Sequence, residues 1–234
     1  MNWLRRLFGT GPRLPMEQSL ALAAYHARPD ISVATALAAL RCVVVDVEAS
    51  GLDPFNDRLI SIGAVSVEGG TVRLGSGFEV VLCQPQASSR ANILIHGIDG
   101  TTQLAGLDPA AALIRFLDYA ERAPLVGFHA DFDRALINRA ATRVLGRAPS
   151  LVWLDLAYLA PALLAGPGMA VPQGLDAWSQ QFGIENHARH NALADALATA
   201  QLLQVVLARA TAAGVTTLQD LQRIEKDQRW LSRR

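Results

Sequence analysis

Three β-rich apolar segments follow one another in this chain, at 42–48, 59–67 and 72–83. Only beyond them do short apolar runs alternate with stretches of helical length. Between the second and third, Glu68, Gly69, Gly70 and Thr71 supply the glycines that a tight hairpin turn needs. Strands joined by such a turn pair antiparallel, whereas strands separated by a helix pair parallel, because the crossover must pass over a sheet face. A chain that shows both patterns in series is confined to a mixed sheet with helices packed on it. The expected fold class is therefore α/β, with a mixed β-sheet of about five strands flanked by helices.

The helical stretches carry their own boundary signals. Asp108 and Pro109 read as an N-cap and first turn, opening a helix that runs through Arg122. Residues 125–128 read as a short buried strand, 132–145 as a helix, and 151–154 as a strand leading into another helix. Further helices are expected at 175–182 and 191–210. Residues 1–38 read as a helical N-terminal extension, 39–212 as the core domain, and 213–234 as a C-terminal helical tail with Leu218, Leu221 and Ile224 on its apolar side. The glycines and proline at 166–168 mark a loop within the core.

Composition narrows the partners. At 51% hydrophobic and 18% charged residues, the 234-residue chain has the make-up of a folded protein. Basic and acidic residues both number 21, so the net charge is zero. Any polyanionic partner must then be held by a local basic patch, by a metal, or over a short footprint. Cys42 and Cys83 form neither a metal-ligand pair nor a disulfide framework. Both fall in expected strands and read as small core residues of a reducing compartment, so a cytoplasmic location is expected. No apolar run approaches the roughly 20 residues of a membrane span. The basic, apolar start at residues 1–8 is broken early by Gly9, Gly11, Pro12 and Pro15, and it is a poor signal peptide because Glu17, His26, Arg28 and Asp30 interrupt the apolar stretch that follows.

Chemistry concentrates at three places. The first is Asp46, Val47 and Glu48 at the end of the opening strand. Alternation puts the two carboxylates on one face, where they repel each other and lose hydration, a cost that a divalent cation would remove. The second is Asp133, just after His129 and Phe132, where a strand hands over to a helix; such places gather ligand groups in α/β sheets. The third is His190 followed by Asn191 and Asp195, with Asn191 as N-cap and Asp195 early in the helix. Each motif alone also reads as ordinary surface acids or helix caps. Asp53, Asp57 and Asp131 read as solvated, and Trp153 and Trp178 as core. Asp155 reads equally as a support for the site and as a helix cap.

Taken together and in order, the three segments resemble the DEDDh group of 3′–5′ exonucleases, over about residues 40 to 210. That group has a ribonuclease H-like fold and includes the proofreading epsilon subunit of bacterial DNA polymerase III, ribonuclease T and oligoribonucleases. Ile95, His96, Gly97 and Ile98 look like the segment that follows the third strand in epsilon-type members. The resemblance implies that Asp46, Glu48, Asp133 and Asp195 are the four metal-binding carboxylates and His190 the general base. It implies two Mg²⁺ or Mn²⁺ ions, with Asp46 bridging, Glu48 and Asp195 on the first, and Asp133 on the second. The substrate it implies is the 3′ end of single-stranded DNA or RNA, DNA slightly favoured, near Ala49, Ser50, Gly51, Leu52, His96, His129 and Phe132. Phe132 itself reads as core. The chain departs from the family at Ala49 and Ser50, where Thr is usual, and at His129, where Asn is common. Alternatives are an RNA or short-oligonucleotide exonuclease and a catalytically silent nucleic-acid-binding module. Residues 1–38 carry none of these signals, so their removal is expected to leave the chemistry in place.

Overall fold

The computed structural model describes residue 12, residues 14–166 and residues 168–233. The basic start at residues 1–8 and Pro167 lie outside them. Strand β1 (Arg41–Ala49) lies inside the sheet and is buried along almost its whole length. On one side it pairs antiparallel with β2 (Leu59–Glu68), and on the other parallel with β5 (Leu125–Gly127), which pairs parallel with β6 (Trp153–Asp155). Two short strands, β3 (Thr71–Val72) and β4 (Phe78–Val81), both pair antiparallel with β2. The sheet is mixed, as the strand pattern requires.

Alternation along β1 feeds two cores. Val43, Val45 and Val47 pack under α1 (Met16–Ala27), α4 (Pro109–Ala120) and α5 (Asp131–Leu145). Cys42 and Val44 face the other way, against α6 (Leu156–Leu164) and α8 (Ala192–Ala212). Helix α8 is long and apolar enough to cross a membrane by length and composition only, a test that a buried core helix also passes. Its apolar surface is spent inside the protein: Ala196, Ala200, Leu203 and Val206 are fully buried. Helix α7 (Gly174–Gln181) sets Trp178 into the same core.

The expected third strand at 72–83 is in fact two strands. A 3₁₀ turn at Leu74–Ser76 interrupts it. Gly75 and Gly77 weaken the extended run, and the Ser76 hydroxyl bonds the Arg73 carbonyl (2.7 Å) and the Ser66 hydroxyl (2.8 Å). Cys83 accordingly lies past the strand end, half-buried, with its thiol on the Leu104 carbonyl. Two short helices follow, α2 (Arg90–His96) and α3 (Gly100–Leu104), capped by Ser89 and Asp99. Elements this short show no readable periodicity.

The terminal segments are packed into the domain. Tyr25 of α1 is buried beneath the Arg122 guanidinium, which also pairs with Asp30. Further on, the chain meets the start of α9 (Leu218–Leu231): Leu37 N–H donates to Thr216 (2.9 Å), and Leu218 N–H to Thr35 (3.0 Å). Leu37, Leu40, Leu218 and Leu221 all enter the second core. The boundaries read at 38 and 212 therefore run through buried contacts. Leu37→Ala is expected to destabilise by about 2–5 kcal/mol through transfer and cavity terms. A drop in the urea midpoint at unchanged m-value would show it.

Candidate active site

The register of β1 on β2 sets the site. Asp46 lies opposite Gly63 and Glu48 opposite Ser61, with the register slipping just beyond Glu48. Both carboxylates share the face of Cys42 and Val44, which is the face that α8 covers. Gly63 is the reason α8 can come so close. A Cβ there would lie 2.2 Å from the Ala192 carbonyl carbon and the Leu193 nitrogen, so only a residue without a side chain admits this helix start. Asn191 caps α8 by accepting from Ala194 N–H (3.0 Å), and Asp195 follows in the first turn. Asp46, Glu48 and Asp195 thereby present oxygens that all lie within 4.8 Å of one another. Carboxylate oxygens alone meet here, the donor set of a hard divalent cation.

Asp195 is 4% exposed and held on every side. One oxygen accepts from the His190 N–H (3.0 Å). The other accepts from Arg189 and Asn186, both at 2.5 Å, and Arg189 is itself fixed by Asp176 (2.7 Å). Neither Arg189 nor Asn186 stands out in the sequence, because a loop residue has no periodic signature. His190 itself is solvent-exposed and adopts a left-handed backbone (φ 62°). That conformation is uncommon for a residue with a side chain, and it turns the His190 N–H onto Asp195.

Asp133 arrives from the other side of β1. It sits in the first turn of α5, 5% exposed, where the Val47 backbone favours its ionised form. It lies near enough to Asp46 to act on its ionisation, but outside the tight group of three. Its approach is set by His129, also left-handed (φ 61°), whose N–H donates to Asp155 (3.0 Å). Asp155 also caps α6 through Ala157 N–H (2.9 Å), so it fills both roles considered for it. Arg229 of α9 backs this arrangement. It pairs with Asp131 (2.6 Å) and Glu225 (3.1 Å), lies 3.6 Å from Asp155, and covers the Tyr158 ring. Asp131 is thus an ion-pair partner and more than a solvated acid. The helical tail reaches the rear of the second motif.

The residues expected near a substrate divide. Leu52 is 92% exposed beside the site, and His129 is exposed. Phe55, missed by the sequence reading, stands out on the same loop as Leu52. Ala49 is buried, Gly51 is half-buried, and Phe132 packs against the first core. The Ser50 hydroxyl is engaged with Asp57 (2.8 Å), so Asp57 is a loop brace where solvation was expected. His96 is turned inward, 4% exposed, bonded to Asn92 (2.9 Å) and to the Ile98 N–H (2.9 Å). It holds its loop together and offers no surface to a substrate.

Electrostatics follow from this crowding. Burial first, then Asp133, Asp195 and Glu48, holds the Asp46 carboxyl well above the usual range, with Arg189 opposing. Burial and then Asp195 push Glu48 up to about 8. Burial also raises Asp133, against the pull of backbone N–H groups. A carboxyl whose folded pKa is raised binds its proton more tightly folded than unfolded. Its contribution to stability is then complete below the unfolded value and is lost as pH rises through the folded one. Without added cation, stability should therefore fall between about pH 4.5 and pH 8, the window of Glu48. Glu48→Gln should flatten that slope and be the more stable protein at pH 8. Urea titrations of both proteins in chelator across this window check the sign. The helix seat has its own test. Gly63→Ala should still fold but push the start of α8 off β2, carrying Asp195 from Asp46 and removing most activity. Retention of full activity would contradict the close-contact account.

Comparison with known proteins agrees with this geometry. Residues 43–203 match the RNase_T family model, described as "Exonuclease". A "DNA polymerase III subunit epsilon-like protein" of Rhodobacter capsulatus is 32% identical over 188 residues, covering 78% of this chain and 26% of that protein. The DNA polymerase III subunit epsilon of Aquifex aeolicus is 28% identical, over 79% of this chain and 89% of that protein. The chain spans only about a quarter of the full length of that Rhodobacter protein and 13% of a PolC-type DNA polymerase III of Thermotoga maritima. Among solved structures, E. coli exonuclease I in complex with a dT13 oligonucleotide superposes with a TM-score of 0.62 at 22% identity, over 74% of this chain and 42% of that one. That likeness confirms the ribonuclease H-like exonuclease fold. With its four acidic motif residues placed as described and the family model spanning most of its length, the chain belongs to the RNase_T exonuclease family.

Proposed function

We propose that this chain is a metal-dependent 3′–5′ exonuclease that removes nucleotides from the 3′ end of single-stranded nucleic acid, DNA in preference to RNA. The observation that carries this reading is the convergence of Asp46, Glu48 and Asp195 within 4.8 Å, with Asp133 beside Asp46. The epsilon-like relatives and the DNA oligonucleotide bound by E. coli exonuclease I favour a DNA strand.

The chain's residues have separable tasks. Asp46, Glu48, Asp133 and Asp195 would hold two Mg²⁺ or Mn²⁺ ions. When bound, such ions supply charge stabilisation at the phosphorus oxygens and lower the pKa of water. Arg189 and the His190 N–H keep the Asp195 carboxylate oriented, so that its position does not depend on its other neighbours. The His190 ring would accept the proton of the attacking water; support for this comes from its exposure and from the His190 N–H bond to Asp195, a residue of the acidic group. Leu52 and Phe55, exposed on the loop after β1, offer apolar surface to terminal bases.

The test is digestion of 5′-labelled DNA and RNA strands of graded length, with Mg²⁺, with Mn²⁺ and with chelator. Successive shortening from the 3′ end, metal-dependent and faster on DNA, is expected. His190→Ala should lose about 10²–10⁴-fold in single-turnover rate while still binding the strand. Asp46→Asn should lose activity together with the rise in melting temperature that Mn²⁺ gives the parent protein. A His190→Ala enzyme within a few-fold of the parent would refute its role as base. Binding without cleavage under every metal condition would favour the silent module.

A further inference from the structure

A cavity of about 320 Å³ lies between α5, the loop after β1 and the segment after β4, away from the acidic group. Its floor is apolar, including Leu59, Leu82, Leu136 and Val144, and its rim carries Arg58, Arg139 and Arg143. Arg28, Arg41, Arg73, Arg122, Arg134, Arg189, Arg223 and Arg229 each have a carboxylate within 4.0 Å. Among the described residues, Arg58, Arg139 and Arg143 form no such pair; nor do Arg90, Arg115, Arg147, Arg209 and Arg233, but of these eight only the first three line the cavity. Nearby acids are occupied elsewhere. Asp53 accepts from the Phe55 N–H (2.8 Å) and the Asn56 amide (2.6 Å), and Asp57 from the Ser50 hydroxyl (2.8 Å) and the Asp53 N–H (2.9 Å). Asp53 is the nearest to an exception: hydrogen bonds from Asn56 and Phe55 hold its carboxyl low, and Arg139 adds a minor share.

The cavity is joined to the acidic group by rigid elements. Arg58 exchanges backbone hydrogen bonds with Ser50, its N–H to the Ser50 hydroxyl and its carbonyl from the Ser50 N–H, each at 2.9 Å. Ser50 is two residues past Glu48. Arg139 and Arg143 lie one helical turn apart on α5, the helix that carries Asp133 in its first turn. At 1.5 Å per residue they stand about 9 and 15 Å along the axis from Asp133. They therefore form a row of cations leading away from the site along a straight scaffold.

We propose that this arginine-rimmed cavity binds the phosphodiester backbone of the substrate's own strand, upstream of its 3′ end. The guanidinium groups engage phosphates as charge-assisted donors, and the apolar floor receives a base or sugar. The proposal rests on the exonuclease reading above. It gives a chain of zero net charge a way to hold a polyanion, because three cations without a carboxylate partner gather at one cavity.

The test compares the parent with Arg139→Gln/Arg143→Gln, after urea titration shows equal stability. KM and kcat are measured on a dinucleotide and on a single strand of about 12 nucleotides. Binding of the same labelled strand in chelator is followed by anisotropy against salt. The double variant should raise KM on the long strand about tenfold or more and leave kcat, and all dinucleotide kinetics, within twofold. Its salt slope should become shallower by about 0.7 for each lost phosphate contact. Arg139→Lys/Arg143→Lys should restore most of that slope. An equal loss on both substrates, or unchanged KM and slope, overturns the proposal; so does binding of an acidic peptide that the nucleic acid fails to displace. A parent protein that binds the strand through these arginines yet cleaves nothing refutes the exonuclease reading and leaves the cavity's role standing.

Discussion

Mutual repulsion among buried carboxylates is the constraint around which this structure is arranged. Asp46, Glu48, Asp133 and Asp195 come from three separated stretches of chain, and each would be better hydrated apart. Holding them together requires strong packing elsewhere, and the two cores on either face of β1 provide it. Val43, Val45 and Val47 anchor the strand on one side, and Cys42 and Val44 on the other. The acids lie just where that buried run meets solvent, so the strand's rigidity is passed directly to them.

Relief of the repulsion is only partial, and this has a chemical meaning. Arg189 balances Asp195 but divides its guanidinium with Asp176. The backbone N–H of Val47 favours the ionised Asp133, yet burial outweighs it. A site left electrostatically short of cations binds them with a large gain, at the cost of stability in their absence. The same division appears at the arginine-rimmed cavity with opposite sign, where cations are left unpaired while nearby acids serve the loop.

Support for the site extends into segments that carry no catalytic signature. Asp155 fixes the His129 backbone and thereby the entry of α5, and Arg229 from the terminal helix braces Asp155 and Asp131. The N-terminal extension pairs with the start of that same helix. Residues remote in sequence thus bear on the position of Asp133 through a short chain of hydrogen bonds and ion pairs.

The mixed sheet and the residues of the three motifs were legible in the sequence, because hydrophobic period and helix caps are local signals. The helix start at Asn191 and the hairpin at Gly69 and Gly70 are examples. What could not be read locally was whatever depends on a contact between distant residues. The break in the third segment rests on Ser66 meeting Ser76. The inward turn of His96 rests on its loop, and the roles of Arg189 and Arg229 on partners fixed by folding. Gly63 shows the division most clearly. As a residue in a strand it is only a weak point. In the folded chain its missing side chain is the space that lets α8 bring Asp195 to Asp46. The acidic residues that converge could be named from the chain order alone; how near they come could not, because close approach of two backbones belongs to the pair and to neither segment alone.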